Sequence, residues 1–246
     1  MSENKTLVAG MVPSSFTDGP GNRMVVFLQG CNLRCIYCQN PETWDIRGLN
    51  NPLCVWMNRK DLLEIIERYS IFLSGITFSG GEALLQWKFL KKFSIEYKSS
   101  FPNKNILIDT NADVDPRFVR ETVDYVDFYS PDIKAPTEKI YNKLTGGLGD
   151  FKNMISNLKY LYEQERIYEV RLPVVPKFTD SENVYNNWIK VLSKLFNSDI
   201  SIRVIKFRSH GVKNPELRKS GVDGKKIAIL IKMLREAGFK KIKYLE

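Results

Sequence analysis

Cys31, Cys35 and Cys38 are the residues whose type and spacing most directly announce chemistry. They lie in Cys31-Asn32-Leu33-Arg34-Cys35-Ile36-Tyr37-Cys38, separated by three and then two residues. Thiolates are soft ligands that select zinc, copper(I) or iron–sulfur clusters. Structural zinc takes four closed ligands, usually as paired knuckles. No second pair exists here, because the only other cysteine is Cys54 and the sole histidine, His210, is distant in sequence. Three thiolates on one short loop suit a [4Fe–4S] cluster with three irons held and one left open. Clusters held by four cysteines serve electron transfer; an open iron can instead bind a reactant. Buried structural cysteines have no reason to cluster this way. Cys54, after Pro52-Leu53, reads as an incidental thiol.

The elements that must position this loop alternate. A leading strand is predicted over 5–12, then turn chemistry in Thr17-Asp18-Gly19-Pro20-Gly21. A buried strand over 24–29 delivers the chain into Cys31. Helices are predicted over 59–70 (with Asn58 as N-cap), 84–97, 116–126, 137–144, 151–164, 182–196 and 224–237. Strands are predicted over 75–79, 105–109, 127–134, 167–175, 200–207 and 240–245. About six βα units in one run imply an α/β fold with a parallel sheet and helices outside. An open (β/α) barrel and a doubly wound sheet both satisfy that pattern, and the whole of 1–246 reads as a single domain.

Sites in parallel α/β folds lie at the C-terminal ends of strands. Polar residues collect at those ends: Gln29-Gly30, Ser79-Gly80-Gly81-Glu82, Asp109-Thr110-Asn111, Asp132 with Lys134, Arg171, and Arg208-Ser209-His210. Gly80-Gly81 permits close backbone approach to a ligand, or simply a tight turn. Asp109 and Asp132 sit in otherwise apolar strands, where an unpaired carboxylate costs several kcal/mol. Lys134 or Arg171 is the expected partner, in a structural ion pair or in binding a carboxylate ligand. His210 is read either as an acid/base or stacking group or as a structural histidine.

Composition bounds the rest. At 246 residues and 43% hydrophobic, the chain can build a sizeable core. No apolar run reaches membrane-spanning length, and the first residues lack a signal-peptide apolar region. Clustered cysteines fit a reducing cytoplasm and a metal role. The net charge of +9 comes from lysines spread along the chain, without an aromatic-interleaved basic block, so no nucleic-acid partner is expected.

Longer stretches around the cysteines resemble one family. Ser15 to Gly21, Gln29 to Cys35, Tyr37-Cys38-Gln39-Asn40-Pro41, Thr43-Trp44-Asp45, Phe78 to Gln86, Asp109-Thr110-Asn111, Asp132-Ile133-Lys134 and Val174 to Asp180 carry the resemblance. They are similar to the radical S-adenosylmethionine (SAM) superfamily, and within it to glycyl radical enzyme activating enzymes of the pyruvate formate-lyase activating enzyme kind. The resemblance runs from about residue 10 to 180, with the cluster loop at 30–42 and a divergent C-terminal segment at 200–246. The ferredoxin-like insert of many relatives is absent, so a second cluster is not expected. Ala112 stands where the family often has Gly, and Phe207 to Val212 replaces a segment typical of pyruvate formate-lyase activators.

The resemblance implies a partial (β/α)6 TIM barrel. It implies one [4Fe–4S] cluster on Cys31, Cys35 and Cys38, and SAM on the open iron. Tyr37 and Gln39 are expected near adenine, with Gly80, Gly81 and Glu82 near the methionine end. Lys134, Arg171 and His210 are expected to complete the pocket. Asp109, Thr110 and Asp132 are expected to hold a monovalent cation, and Asp18 to face the substrate backbone. One electron from flavodoxin or ferredoxin would cleave SAM to a 5′-deoxyadenosyl radical, which abstracts hydrogen from a glycine of a partner glycyl radical enzyme. A monomeric cytoplasmic protein is expected. The alternatives are a radical SAM enzyme acting on a small molecule or another peptide, and a non-catalytic iron–sulfur carrier.

Overall fold

In the strands that follow the cysteine loop, apolar residues point outward to helices and polar ones inward. Ile76 and Phe78, Ile106 and Ile108, Val170 and Leu172, and Ile202 and Val204 are buried in clusters shared with helices. Thr77, Arg171 and Arg203 between them, and Asp109 just after Ile108, take the other face, as period-two alternation demands. The computed structural model describes residues 3–245.

The chain runs β1 (Lys5–Ser15), β2 (Arg23–Leu28), β3 (Val55–Asn58), α1 (Arg59–Tyr69), β4 (Gly75–Gly80), α2 (Trp87–Ser100), β5 (Asn105–Thr110), α3 (Pro116–Thr122), β6 (Phe128–Pro131), α4 (Glu138–Leu144), α5 (Phe151–Glu163), β7 (Val170–Val174), α6 (Glu182–Leu195), β8 (Ser201–Lys206), α7 (Pro215–Arg218), α8 (Gly224–Glu236) and β9 (Lys241–Leu245). One sheet has the order β3-β1-β2-β4-β5-β6 and the other β7-β8-β9. Parallel bridges Tyr129↔Ile167 and Asp132↔Arg171 join them between β6 and β7. The result is a curved, mostly parallel sheet with helices outside, a partial barrel.

The expected all-parallel sheet needs a correction at its leading edge. β1 pairs antiparallel with β2, and β3 antiparallel with β1. Only residues 16–22 join β1 to β2, too few for the crossover that parallel pairing requires. β3 and α7, four residues each, have no counterpart among the predicted elements.

Two apolar clusters back the sheet. One packs α1, α2 and α3 on β2, β4 and β5, where Phe78, Phe89, Phe93 and Tyr97 make successive ring contacts at 5.2–5.8 Å. The other packs α4, α5, α6 and α8 on β7 and β8 around the fully buried Trp188. Both clusters lie outside the sheet, and its inner face carries the polar strand residues beside a few apolar ones such as Pro173 and Ile205.

Candidate active site

Three supports fix the cysteine loop. Its return leg pairs with its start, Gly30 N–H to Thr43 O at 2.8 Å and Cys31 N–H to Trp44 O at 3.2 Å. The end of α4 receives Arg34 N–H at Thr145 O (3.2 Å) and Ile36 N–H at Leu144 O (3.0 Å). The end of β4 donates Gly81 N–H to Leu28 O (3.0 Å) and Glu82 N–H to Gly30 O (2.8 Å). A Cβ on Gly80 would stand 2.3 Å from Leu28 O, and one on Gly81 2.2 Å from Gly30 O. Close backbone packing against the cysteine loop therefore demands this glycine pair, whatever else it contacts.

One cavity of about 230 Å³ opens at these strand ends. Cys31, Cys35, Cys38, Tyr37, Gln39, Gly80, Gly81, Asp109, Thr110, Asp132, Lys134 and Arg171 all line it. Arg171 Nη2 lies 2.9 Å from Asp109 Oδ1, and Lys134 Nζ 3.1 Å from Asp132 Oδ2. Burial pushes the Asp109 carboxyl up to about 6, against the pull of Arg171. Burial opposes the charge on Arg171, but Asp109, Asp132 and Glu169 outweigh it and raise the guanidinium's pKa. Lys134 likewise stays charged, because Tyr37, Asp132 and Cys35 overcome its desolvation.

Three expected residues lie outside the cavity lining. Glu82 is buried beside it, accepting from Leu84 N–H (3.1 Å), Thr110 Oγ1 (2.8 Å) and Asn111 N–H (2.7 Å). His210 is exposed in a separate shallow depression with Lys213 and Arg218. Its neighbour Gly211 does reach the site, packing on Gln39, whose side-chain amide donates to Arg208 O at 3.1 Å. Asp18 sits on the β1–β2 corner, where the Ser15 hydroxyl donates to its carboxylate. Cys54 Sγ faces Gly48 O at 3.5 Å.

Several residues around the site escaped the sequence reading. Glu169 and Arg203 lie on the inner face beside Arg171, with Arg203 Nε 2.8 Å and Arg171 Nε 3.2 Å from Glu169 Oε1. Buried Arg23 donates to Thr77 Oγ1 (2.7 Å), Pro20 O (3.1 Å) and the Asn105 side chain. For Glu169 a signal was available in the alternation Glu169-Val170-Arg171, two opposite charges one strand period apart. Trp44 lies between Arg34 at 5.6 Å and Lys213 at 5.7 Å.

A partial barrel whose strand ends converge on three thiols defines the class, and residues 25–186 match the Radical SAM superfamily, to which the chain belongs. Within it, the chain is 30% identical over 207 residues to the pyruvate formate-lyase-activating enzyme of Clostridium pasteurianum, covering 81% of each chain. That similarity places it in the family of the pyruvate formate-lyase-activating enzymes. In fold it resembles the crystal structure of a domain of pyruvate-formate lyase-activating enzyme from Bacteroides vulgatus ATCC 8482, with TM-score 0.57 at 17% identity, over 70% of this chain and 99% of that one. It also resembles QueE from Escherichia coli, with TM-score 0.57 at 12% identity, over 98% of this chain and 94% of that one. No helix among the described residues is long and apolar enough to cross a membrane.

Members of the superfamily bind a [4Fe–4S] cluster and SAM, and the donor set here fits both. All four cysteines are unbridged. Burial raises Cys31 to about 12 and Cys35 to about 11, so iron must displace their protons on loading. Leu33 N–H already points at Cys31 Sγ at 3.4 Å, as a donor to a thiolate would. Among the described residues no three His, Cys, Asp or Glu side chains converge as on a single ion; a cluster spreads its thiolates over separate irons. The buried Tyr37 hydroxyl on the cavity wall has no hydrogen-bond partner among the described residues. A buried polar atom left so is costly, which suits a ligand there.

Proposed function

We propose that this chain activates pyruvate formate-lyase, or a glycyl radical enzyme like it, from the cavity lined by Cys31, Cys35 and Cys38. The observation that carries this reading is the convergence of those thiols with Gly80, Gly81, Asp109, Asp132, Lys134 and Arg171 on one cavity. When bound and reduced, the cluster and SAM would supply 5′-deoxyadenosyl radical chemistry, able to remove a hydrogen atom from the α-carbon of a partner glycine.

The chain's own residues bind, orient and shield. Cys31, Cys35 and Cys38 would hold the cluster through their thiolates. Lys134, charged and buried, would pair with the SAM carboxylate, while Tyr37 and Gln39 would take the adenine side. Gly80 and Gly81 offer backbone groups to the methionine end, and Glu82 braces that turn from below. Asp109, Thr110 and Asp132 hold a monovalent cation beside SAM, trading for it part of the pairing with Arg171 and Lys134. Asp18 meets the substrate backbone, and His210 takes part only if its loop folds over the mouth. The reductant is flavodoxin or ferredoxin, and the protein acts as a monomer in the cytoplasm. The continuous run of strands across both sheets supports treating the chain as one domain.

The test uses anaerobically reconstituted enzyme, SAM, a reductant and pyruvate formate-lyase. A glycyl signal in electron paramagnetic resonance is expected, and it is lost with Cys31→Ala. SAM cleavage without any glycyl signal from glycyl radical enzymes would turn the reading toward a small-molecule or peptide substrate.

A further inference from the structure

The two ends of the curved sheet are not joined by any strand pairing among the described residues: β3 ends one edge and β9 the other. One side chain reaches between the early and late walls. Arg203 on β8 donates through Nη1 to the carbonyl of Thr17, 186 positions away in sequence. Thr17 precedes Asp18 on the β1–β2 corner. From the other side, Thr77 Oγ1 on β4 donates to the Asp18 carbonyl at 2.7 Å. The corner is thus gripped from two walls.

Arg203 is itself aimed by Glu169, which is completely buried and has Oε1 2.8 Å from Arg203 Nε. The same oxygen accepts from Arg171 Nε at 3.2 Å, and Arg171 reaches Asp109 in the cavity wall. Two carboxylates and two guanidiniums form this chain, and at its edge the half-exposed Lys243 ammonium stands 4.0 Å from Glu169 Oε2. Glu169 already has Arg171 as a counter-charge. Arg203 therefore does something that pairing alone does not require, since its outer nitrogen holds a main-chain carbonyl on an otherwise exposed corner. A charge-assisted hydrogen bond from a buried, planar donor fixes both distance and direction.

We propose that Glu169 and Arg203 form a clasp that holds the Thr17–Asp18 corner against β8 and thereby sets affinity for the partner's glycine segment. Both are positioning residues: they act through the corner and touch neither the cavity's ligands nor the substrate. The proposal rests on the reading that Asp18 meets the substrate backbone.

The test compares wild type, Arg203→Lys and the double variant Glu169→Met/Arg203→Met, which removes one charge of each sign and leaves the Arg171–Asp109 pair balanced. Hydrogen exchange of residues 16–22 in the cluster-loaded enzyme is the first readout. Activation of pyruvate formate-lyase, followed as KM and kcat, is the second. In the double variant, amide exchange in the corner is expected to speed up about tenfold, and KM for the partner to rise about tenfold, the loss of one charge-assisted hydrogen bond. Exchange in β4 and β5, and the partner-free SAM cleavage of Arg203→Lys, which keeps Glu169 on Arg171, are expected to stay at wild-type levels. Arg203→Lys, which keeps the charge but has one nitrogen in place of the two that reach Glu169 and Thr17, is expected to retain part of the corner's protection, with exchange between that of wild type and the double variant. Unchanged corner exchange in the double variant would overturn the clasp, and so would a loosened corner with an unchanged KM. If wild type activates no glycyl radical enzyme, the functional reading fails, while the exchange data still decide whether the clasp exists.

Discussion

At the scale of single residues, small groups prove as decisive as reactive ones. Gly211 has φ 75°, and a Cβ there would lie 1.8 Å from Gln39 O. A left-handed alanine costs about 1 kcal/mol before any clash. Gly211→Ala is expected to push Gln39 out of the cavity wall, raising KM for SAM several-fold. Iron content per chain is expected to stay unchanged, because no cysteine moves with it. Kinetics of SAM cleavage beside an iron assay checks this; equal loss of iron would mean that the whole cysteine loop had shifted. Ala112 shows the converse: it occupies a left-handed position (φ 57°) where the related family often has Gly. Its loop is tied down by Asp113, which accepts from Tyr141 Oη (2.9 Å), Asp150 N–H (2.7 Å) and Asn153 Nδ2 (3.1 Å). Asn157 Nδ2 adds bonds to Ala112 O and Val114 O at 2.9 Å. The packing of α4 and α5 supplies the compensation for this departure.

At the scale of elements, the β1–β2 corner depends on Arg23. Gly19 (φ 138°) and Gly21 (φ 72°) make the turn, and Arg23 ties it to β4 and β5 through Pro20 O, Thr77 Oγ1, Ile76 O and Asn105. Burial lowers the Arg23 pKa to about 10, which leaves it charged at neutral pH. Arg23→Met leaves several buried acceptors without their donor, and the expected destabilisation is about 3 kcal/mol. Denaturant unfolding measures it; a change below about 1 kcal/mol would mean that water replaces the guanidinium. The elements legible in advance were those with strong periodicity. Helix Arg59–Tyr69, the cap at Asn58 and the strands over 75–80 and 105–110 lie within a residue or so of expectation. β3 was not legible, because an edge strand of four residues with Val55 and Trp56 exposed carries little apolar alternation. The helix expected from 84 begins at Trp87, since Gln86 turns inward to donate to Gln29 O at 3.0 Å.

At the scale of the whole molecule, curvature gathers charge onto the buried inner face of the sheet, and that has a pH signature. Burial raises the Glu82 carboxyl from 4.5 to about 7, against donors from Asn111, Thr110 and Leu84. The folded chain therefore holds this proton more tightly than the unfolded chain does. The associated stability is present below pH 4.5 and is lost as pH rises through about 7, at most about 3 kcal/mol. Wild-type melting temperature is expected to fall between pH 5 and 8 by more than that of Glu82→Gln. The comparison rests on the slope, so a uniformly lower melting temperature in the variant does not affect it. Parallel slopes would show that the three donors, rather than burial, govern Glu82.

The sequence by itself determined the cysteine spacing, the βα rhythm and the polar strand ends, because each is a local pattern of residue type. These were enough to point to a cluster with an open iron, a parallel α/β fold and the strand-end residues that line one cavity. Only the tertiary structure decided which polar residues share that cavity and which stand beside or outside it. Glu82 points beneath it and His210 lies on the surface, though both follow strand ends just as Asp109 and Lys134 do. The reason is geometric: a strand's period says which face a side chain takes, but the curvature of the sheet decides what faces it from the opposite wall. The meeting of Arg203 with Thr17 across the open barrel could arise only from that curvature.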